Sequence, residues 1–164
     1  MEDPEKYKKE DGSIDWGKFA TAQLANEDSF SEKKKTKQLE DLAIFKTADE
    51  VSDYVWDTTS KWDWFAKKTI GSQIVRSADS VGANIAEGYG RYFFKEYMVF
   101  LYYARGSLYE TQYWIEKARK RGLIDDEQHR WLKERTDKLP MEINKVIKII
   151  KREQQKWKNK GKNH

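Results

Sequence analysis

Apolar residues recur at helical spacing from Leu39 almost to the carboxyl end, and this period constrains the fold more than any other feature. An apolar residue at every third or fourth position lines one face of a helix, so that face must be buried against another element. Glycines in Gly88-Tyr89-Gly90 and at Gly122 interrupt the period and predict helix ends. No stretch alternates apolar and polar residues as a half-buried strand does, so we predict an all-α fold.

The interruptions divide the chain into four predicted helices. The first begins near Leu39, the second covers residues 66–86, the third covers residues 95–121, and the fourth begins after a capping Asp125 or Asp126. Short connections force consecutive helices to alternate in direction. The predicted architecture is therefore an antiparallel, up-down-up-down four-helix bundle with an N-terminal extension.

The amino-terminal part differs in composition from the helical region. It mixes Gly, Asp, Glu, Lys and Ser, and it ends near a lysine run at residues 33–35. We predict an extension at residues 1–37, the bundle at residues 38–158 and a basic tail at residues 159–164. Within the extension, residues 15–24 place their apolar side chains on one helical side and form a candidate docking segment. Disorder is the alternative for the rest of the extension.

Positive charge is concentrated at the carboxyl end. The chain has a formal net charge of +4, and residues 145–164 carry eight Lys or Arg against a single Glu. Such a run favours a polyanion partner, RNA or DNA, and the alternative is a solvated helix end whose cations suit the helix dipole. The candidate phosphate contacts are Arg91, Arg105, Arg119, Lys120, Arg121, Lys148, Lys151, Arg152 and Lys156.

Aromatic residues are numerous, with seven Trp, nine Tyr and seven Phe. A thin bundle has too little interior for all of these rings, so some are expected on the surface. Two roles fit the rings in and before the third helix, namely stacking on single-stranded RNA and lateral packing between protomers. These rings are Tyr92, Phe93, Phe94, Tyr102, Tyr103, Tyr109, Tyr113 and Trp114.

The residues that catalysis or metal binding would need are scarce. The absence of Cys excludes disulfides, thiolate metal sites and a Cys nucleophile. Neither His129 nor His164 has a second metal ligand one helical turn away, at i+3 or i+4. Glu87 and Glu110 could form a carboxylate pair for acid–base catalysis, but no sequence motif of a catalytic pocket accompanies them. No apolar run approaches the roughly 18 residues of a membrane span. We predict a cytoplasmic, non-enzymatic protein without metal or cofactor.

Small residues dominate the stretch from Ser72 to Arg91, and a second patch rich in small side chains covers residues 104–107. Because small side chains let two helices approach closely, we predict that these patches face each other. The helix-packing residues would be Ala78, Ala86, Gly106 and Ser107. The nearby polar residues are predicted to form a structural network rather than a binding site, because buried polar groups need partners. They are Arg76, Asn84, Glu87 and Glu110.

Several blocks of this region carry a resemblance to a known family. They are Asp41-Leu42-Ala43-Ile44-Phe45-Lys46-Thr47-Ala48, Asn84-Ile85-Ala86-Glu87-Gly88-Tyr89-Gly90-Arg91, Lys95-Glu96-Tyr97 and Ala104-Arg105-Gly106-Ser107-Leu108-Tyr109-Glu110. The chain resembles, over residues 39–155, the four-helix bundle proteins encoded in intervening sequences of bacterial 23S rRNA genes. This resemblance implies an antiparallel four-helix bundle that assembles into a ring-like homopentamer without enzymatic activity.

The relatives that the resemblance implies include the accessory variability protein of diversity-generating retroelements, a basic pentamer that binds nucleic acid and a reverse transcriptase. We therefore expect an oligomeric bundle that binds nucleic acid, with RNA expected over DNA, as an accessory factor to a reverse transcriptase or another RNA partner. The alternative is a protein-interaction scaffold, which recruits a partner chain without nucleic acid.

Overall fold

The computed structural model describes residues 4–9, 15, 18, 38–91 and 93–160, and four long helices dominate this part of the chain. We label them in chain order as α1 (Ala43–Thr59), α2 (Ser72–Gly90), α3 (Phe94–Lys120) and α4 (Asp126–Lys160). Short 3₁₀ helices cover Pro4–Tyr7 and Leu39–Asp41, and a helical turn (Trp64–Ala66) and a π-helical turn (Lys67–Gly71) precede α2. No strand occurs in the described ranges, and the predicted all-α four-helix bundle is confirmed.

Some sequence predictions fall beyond these ranges. The candidate docking segment at residues 15–24, the ring of Tyr92 and residues 161–164 of the predicted tail lie outside the described residues, apart from Asp15 and Lys18. Across the described helices, none combines the length and the apolar composition that a membrane span requires.

Consecutive helices run in opposite directions. Between α2 and α3, Arg76 contacts Glu110 and Asn84 contacts Ser107, so rising numbers on one helix meet falling numbers on the other. The same inverse order relates α3 to α4 and α1 to α2. Of the helix pairs, α2 and α3 share the most extensive contact.

The core has two apolar clusters along the bundle axis. One cluster includes Ile85, Leu101, Leu139 and Ile143, and the other includes Val55, Ile70, Ile74, Ile115 and Leu132. Each of these side chains is at most 2% exposed, and burial of one such side chain contributes about 1.5–3 kcal/mol. These residues come from all four helices, so each helix places its apolar stripe in the common core.

The end of α2 differs from the sequence prediction. The helix continues through all three residues of Gly88-Tyr89-Gly90 and ends at Gly90, with Arg91 as its C-cap. In the described residues, only Gly122 has a positive φ angle, so the glycines of α2 do not form the predicted turn. Gly88 is instead a packing residue, because a Cβ atom there would lie 2.8 Å from Cβ of Phe100 and 2.9 Å from Cδ2 of Tyr97. The predicted stop at this Gly-Tyr-Gly block is confirmed, four residues beyond the predicted residue 86, but an extended Arg91 and not a glycine turn follows the helix.

The connection from α3 to α4 follows the sequence prediction. Gly122 has a φ angle of 67°, and the Leu123 amide donates to the Ala118 carbonyl at 2.9 Å, as in a Schellman motif. The Asp125 carboxylate then accepts from the Gln128 amide at 2.8 Å, and the Gln128 side chain accepts from the Asp125 amide at 3.0 Å. This capping box begins α4 and selects Asp125 over the alternative cap.

Candidate nucleic-acid interface

A groove between α3 and α4 encloses about 840 Å³. The α3 side of the groove is lined by Tyr102, Arg105, Tyr109 and Gln112. The α4 side is lined by Asp137, Pro140, Met141, Asn144, Lys145, Ile147, Lys148 and Lys151. We call this set of residues the α3–α4 groove.

Two tyrosine rings form the α3 wall of the groove. Tyr102 and Tyr109 are seven residues apart, a spacing that returns to the same face of a helix. A helix rises about 1.5 Å per residue, so the two positions lie about 10 Å apart along α3. Their exposed fractions are 39% and 57%, so both rings are accessible to a ligand in the groove.

Lysines form much of the α4 wall. Asn144, Lys148 and Lys151 occupy the i, i+4 and i+7 positions of one helical face, with Lys145 beside them. The three lysines are exposed, and within the described part of the chain no carboxylate lies within 4.0 Å of their ammonium groups. A lysine without a carboxylate partner is available to a phosphate, so this wall attracts polyanions.

Arg105 connects the two walls. One guanidinium nitrogen donates to Oδ1 of Asn144 at 2.9 Å, and the centre of the guanidinium lies 5.4 Å from the centroid of the Tyr102 ring. Neither partner is acidic, so the positive charge of Arg105 is not neutralised by these contacts. The two contacts hold the half-buried side chain in one place.

Asp137 is the only acidic residue among the described residues that line the groove, and it lies at the end away from Lys151. Its carboxylate is 2.9 Å from the ammonium group of Lys133 and accepts from the Gln112 amide at 3.2 Å. Its charge is therefore opposed by a lysine next to the groove. The rest of the groove keeps a net positive charge.

Three other predicted phosphate contacts have acidic partners within the chain. Arg91 pairs with Glu87, Arg119 contacts Asp126 at 2.9 Å, and Lys156 contacts Glu153 at 2.7 Å. Lys120 and Arg121 are exposed at the carboxyl end of α3, while Arg152 is exposed beside Lys151 on α4. The groove therefore brings together Arg105, Lys148 and Lys151 of the predicted set, and it does not include the other six.

The four residues of the predicted polar network lie in three separate contacts. Arg76 is 3.6 Å from Glu110, with side chains 70% and 44% exposed. Asn84 donates to the Ser80 carbonyl at 2.7 Å and approaches the Ser107 hydroxyl at 3.5 Å. Glu87 pairs with the arginine that ends its own helix. The four residues therefore form separate contacts along α2 and not the single network that the sequence predicted.

The four predicted packing residues differ in how deeply they are buried. Ala78 is fully buried, and Ala86 and Ser107 are half-buried. Gly106 is exposed, and a Cβ atom there would meet nothing within 4 Å. The close approach between α2 and α3 occurs at Gly88 instead, so Gly106 does not have the packing role that the sequence suggested.

Three of the described glutamates have separate partners. Glu87 and Glu110 each pair with a different arginine, while Glu116 hydrogen-bonds Nε2 of His129 at 2.8 Å. That hydrogen bond lowers the pKa of Glu116 below its ordinary value. In the part of the chain that the structure describes, no three His, Cys, Asp or Glu residues are placed to hold a metal ion.

Several groove residues were missed from the sequence. Lys145 and Asn144 were not among the candidates, although they share the α4 surface with Lys148 and Lys151. Their spacing from Lys148 and Lys151 along the helix could have identified them in the sequence as neighbours on one surface. Pro140 and Met141 had no such signal, because only the pairing of α3 with α4 shows that they border the groove.

The comparisons with known proteins agree with this fold. Residues 40–145 match the family described as 23S rRNA-intervening sequence protein. A crystal structure from Bacteroides thetaiotaomicron VPI-5482, described as a protein with unknown function from the S23 ribosomal protein family, is similar with a TM-score of 0.58. The match has 22% sequence identity and covers 65% of this chain and 99% of that chain, so it shows the fold alone. None of the curated proteins compared matches this chain. Because the family match spans more than half of the sequence, the chain belongs to the 23S rRNA-intervening sequence protein family.

Proposed function

We propose that this protein binds nucleic acid through the α3–α4 groove. The observation that carries the proposal is the line of exposed lysines at positions 145, 148 and 151, which have no carboxylate partner among the described residues. Phosphate groups bound by such lysines release their condensed counterions, and this release drives most nucleic-acid association. Arg105 adds a fourth cation whose position is fixed by Asn144.

The same observation favours the groove over the basic surfaces at Arg91, Arg119 and Lys156. Arg91, Arg119 and Lys156 have acidic partners, and each would have to exchange that partner for a phosphate. The groove cations require no such exchange. Lys148 and Lys151 also follow the end of the family match at residue 145, so the proposed contact is partly a feature of this chain beyond the matched region.

Charge reversal at two groove lysines tests the proposal. Fluorescence anisotropy with labelled RNA and DNA should show an affinity that falls between about 50 and 200 mM salt, by roughly 50-fold for a single strand and roughly 150-fold for duplex DNA, if four cations contact phosphates. The variant Lys148→Glu/Lys151→Glu should bind at least about tenfold more weakly. The matched control is Lys67→Glu/Lys68→Glu, which makes the same charge change in the turn before α2, outside the groove. Equal losses in both variants, or no salt-dependent binding by the unaltered protein, would contradict the proposal.

Self-assembly is a second proposed property. Trp56, Trp64 and Phe65 lie near the connection from α1 to α2 and are 62%, 72% and 70% exposed. Large exposed rings of this kind support an interface between protein chains. The homopentamer implied by the family resemblance is the assembly we propose. Native mass spectrometry after nuclease treatment measures the subunit number, and the mass of a single subunit would contradict this proposal.

The exposed rings also support the competing function, a protein-interaction scaffold without nucleic acid. An accessory role beside a reverse transcriptase combines the two functions and rests on the family resemblance. The charge-reversal experiment separates them, because a scaffold without nucleic acid predicts no salt-dependent RNA or DNA binding by the unaltered protein.

A further inference from the structure

We infer that the α3–α4 groove is selective for single-stranded nucleic acid, with bases stacked on Tyr102 and Tyr109 and phosphates held by the lysines of α4. The inference rests on the proposed nucleic-acid binding and specifies its substrate class. It requires rings that a base can reach, cations on the opposite wall, and a reason why a duplex fits less well.

The first requirement is met along α3. Tyr102 and Tyr109 both border the groove, with 39% and 57% of their surfaces exposed. Gly106 lies between them on the exposed side of the helix, and a Cβ atom there would meet nothing within 4 Å. The surface between the two rings is therefore open at position 106. A base can approach either ring without displacing another side chain at position 106.

The groove also offers an apolar surface next to the rings. Pro140 and Met141 line it from α4, and the Met141 side chain is 57% exposed. Arg105 lies 5.4 Å from the centroid of the Tyr102 ring, so a base near that ring also meets a guanidinium group. Aromatic rings and guanidinium planes are the surfaces on which unpaired bases stack, and this stacking tolerates any sequence because every base has a π-face.

The second requirement is met on the opposite wall. Lys148 and Lys151 lie on α4, while the two tyrosines lie on α3. In a single strand, the base and the phosphate extend from different sides of the sugar. A strand that follows the groove can therefore direct bases to the tyrosine wall and phosphates to the lysine wall.

A duplex cannot use both walls in this way. Its bases are paired and stacked on one another, so the tyrosine rings find no free base face, and only its phosphates meet the lysines. The electrostatic contribution is common to single and double strands, whereas the stacking contribution belongs to single strands. Selectivity should therefore depend on the tyrosines, and overall affinity should depend on the lysines.

Fluorescence anisotropy with a labelled single strand of about 20 nucleotides and the matching duplex tests this inference. Uridine RNA and thymidine DNA strands are separate arms that show which sugar is preferred. We expect the single strand to bind at least about tenfold more tightly than the duplex, because two rings stack on it. The double variant Tyr102→Ala/Tyr109→Ala should lose this preference, with single-strand affinity falling at least about fivefold for each ring. Its duplex affinity should change less than about twofold.

Two control variants separate stacking from structural damage. Tyr102→Phe/Tyr109→Phe keeps both rings and should retain the selectivity. Tyr103→Ala removes a ring that is 57% exposed, as Tyr109 is, but does not line the groove, and it should leave single-strand affinity unchanged. Circular dichroism of each variant reports whether the helices are intact.

The outcomes distinguish this inference from the function on which it rests. Equal binding of single strand and duplex, or single-strand affinity that survives removal of both rings, would overturn the inference and leave nucleic-acid binding by the lysines in place. Binding of neither strand type at low salt would overturn both. A loss of single-strand affinity in Tyr103→Ala equal to that in the double variant would also overturn the inference.

Discussion

At the residue scale, three glycines of this chain have three different physical roles. Gly122 has a left-handed backbone and ends α3, Gly88 makes room for Phe100 and Tyr97, and Gly106 lies in open space on the helix surface. The role of Gly122 is predictable from the sequence, because helix capping depends on residues a few positions away. The role of Gly88 is not, because the side chains that contact it belong to the next helix.

Substitution of Gly88 by Ala should destabilise the fold. The new Cβ atom would lie 2.8 Å from Cβ of Phe100 and 3.3 Å from the Tyr97 carbonyl oxygen, so α2 and α3 would have to separate slightly. Overpacking of this kind costs about 1–3 kcal/mol, and the better helix propensity of Ala offsets at most about 1 kcal/mol. We expect a lower free energy of unfolding in urea.

The matched control for this substitution is Gly106→Ala. It has the same chemistry in an exposed helix position where a Cβ atom meets nothing within 4 Å. Here only helix propensity changes, so the variant should be more stable by about 0.5–1 kcal/mol. Effects of the same sign at both glycines would contradict the packing role assigned to Gly88.

At the element scale, the end of α3 and the start of α4 follow from local sequence, whereas the contacts between helices do not. The capping box of Asp125 and Gln128 joins residues three positions apart and is visible in the sequence. The contact between Arg105 and Asn144 joins residues 39 positions apart and depends on how α3 and α4 pair. For the same reason, the sequence identifies basic residues but not which of them have acidic partners.

The contact between Glu116 of α3 and His129 of α4 should make stability depend on pH. The hydrogen bond from His129 lowers the pKa of Glu116 below the ordinary value of 4.5, with smaller contributions from Lys133 and Arg119 and an opposing one from burial. A lowered pKa in the folded state stabilises the fold above the unfolded pKa, and this stability is lost as pH falls through the folded pKa. The stabilisation should therefore be complete near neutral pH and disappear below 4.5.

Urea unfolding of the unaltered protein and Glu116→Gln across this pH range measures the effect. The unaltered protein should be more stable near neutral pH, and the difference should shrink as the pH falls below the ordinary glutamate value. Glu110→Gln is a suitable control, because Glu110 lies on the same helix and its contact with Arg76 joins α3 to α2 instead. A difference between Glu116→Gln and the unaltered protein that stays constant with pH would contradict the role of the hydrogen bond between Glu116 and His129.

At the scale of the whole molecule, the fold was predictable because the helical period extends over nearly all of the region from Leu39 onward. The proposed function depends on a smaller feature, the α3–α4 groove, which exists only after two helices have paired. Tyr102, Lys148 and Lys151 are separate candidates in the sequence, for stacking and for phosphate contact, and only the fold brings them together in one groove. The bundle thus holds α3 and α4 in place, and the groove between them is the proposed binding site.

The position of bound nucleic acid tests this account most directly. Photo-crosslinking of a thiouridine-labelled single-stranded RNA to the full chain, followed by peptide mass spectrometry, identifies the residues in contact. The account predicts crosslinks at Tyr102, Tyr109 or Met141, which line the groove and are exposed. Crosslinks confined to Trp56, Trp64 or Phe65 at the α1–α2 connection would contradict it.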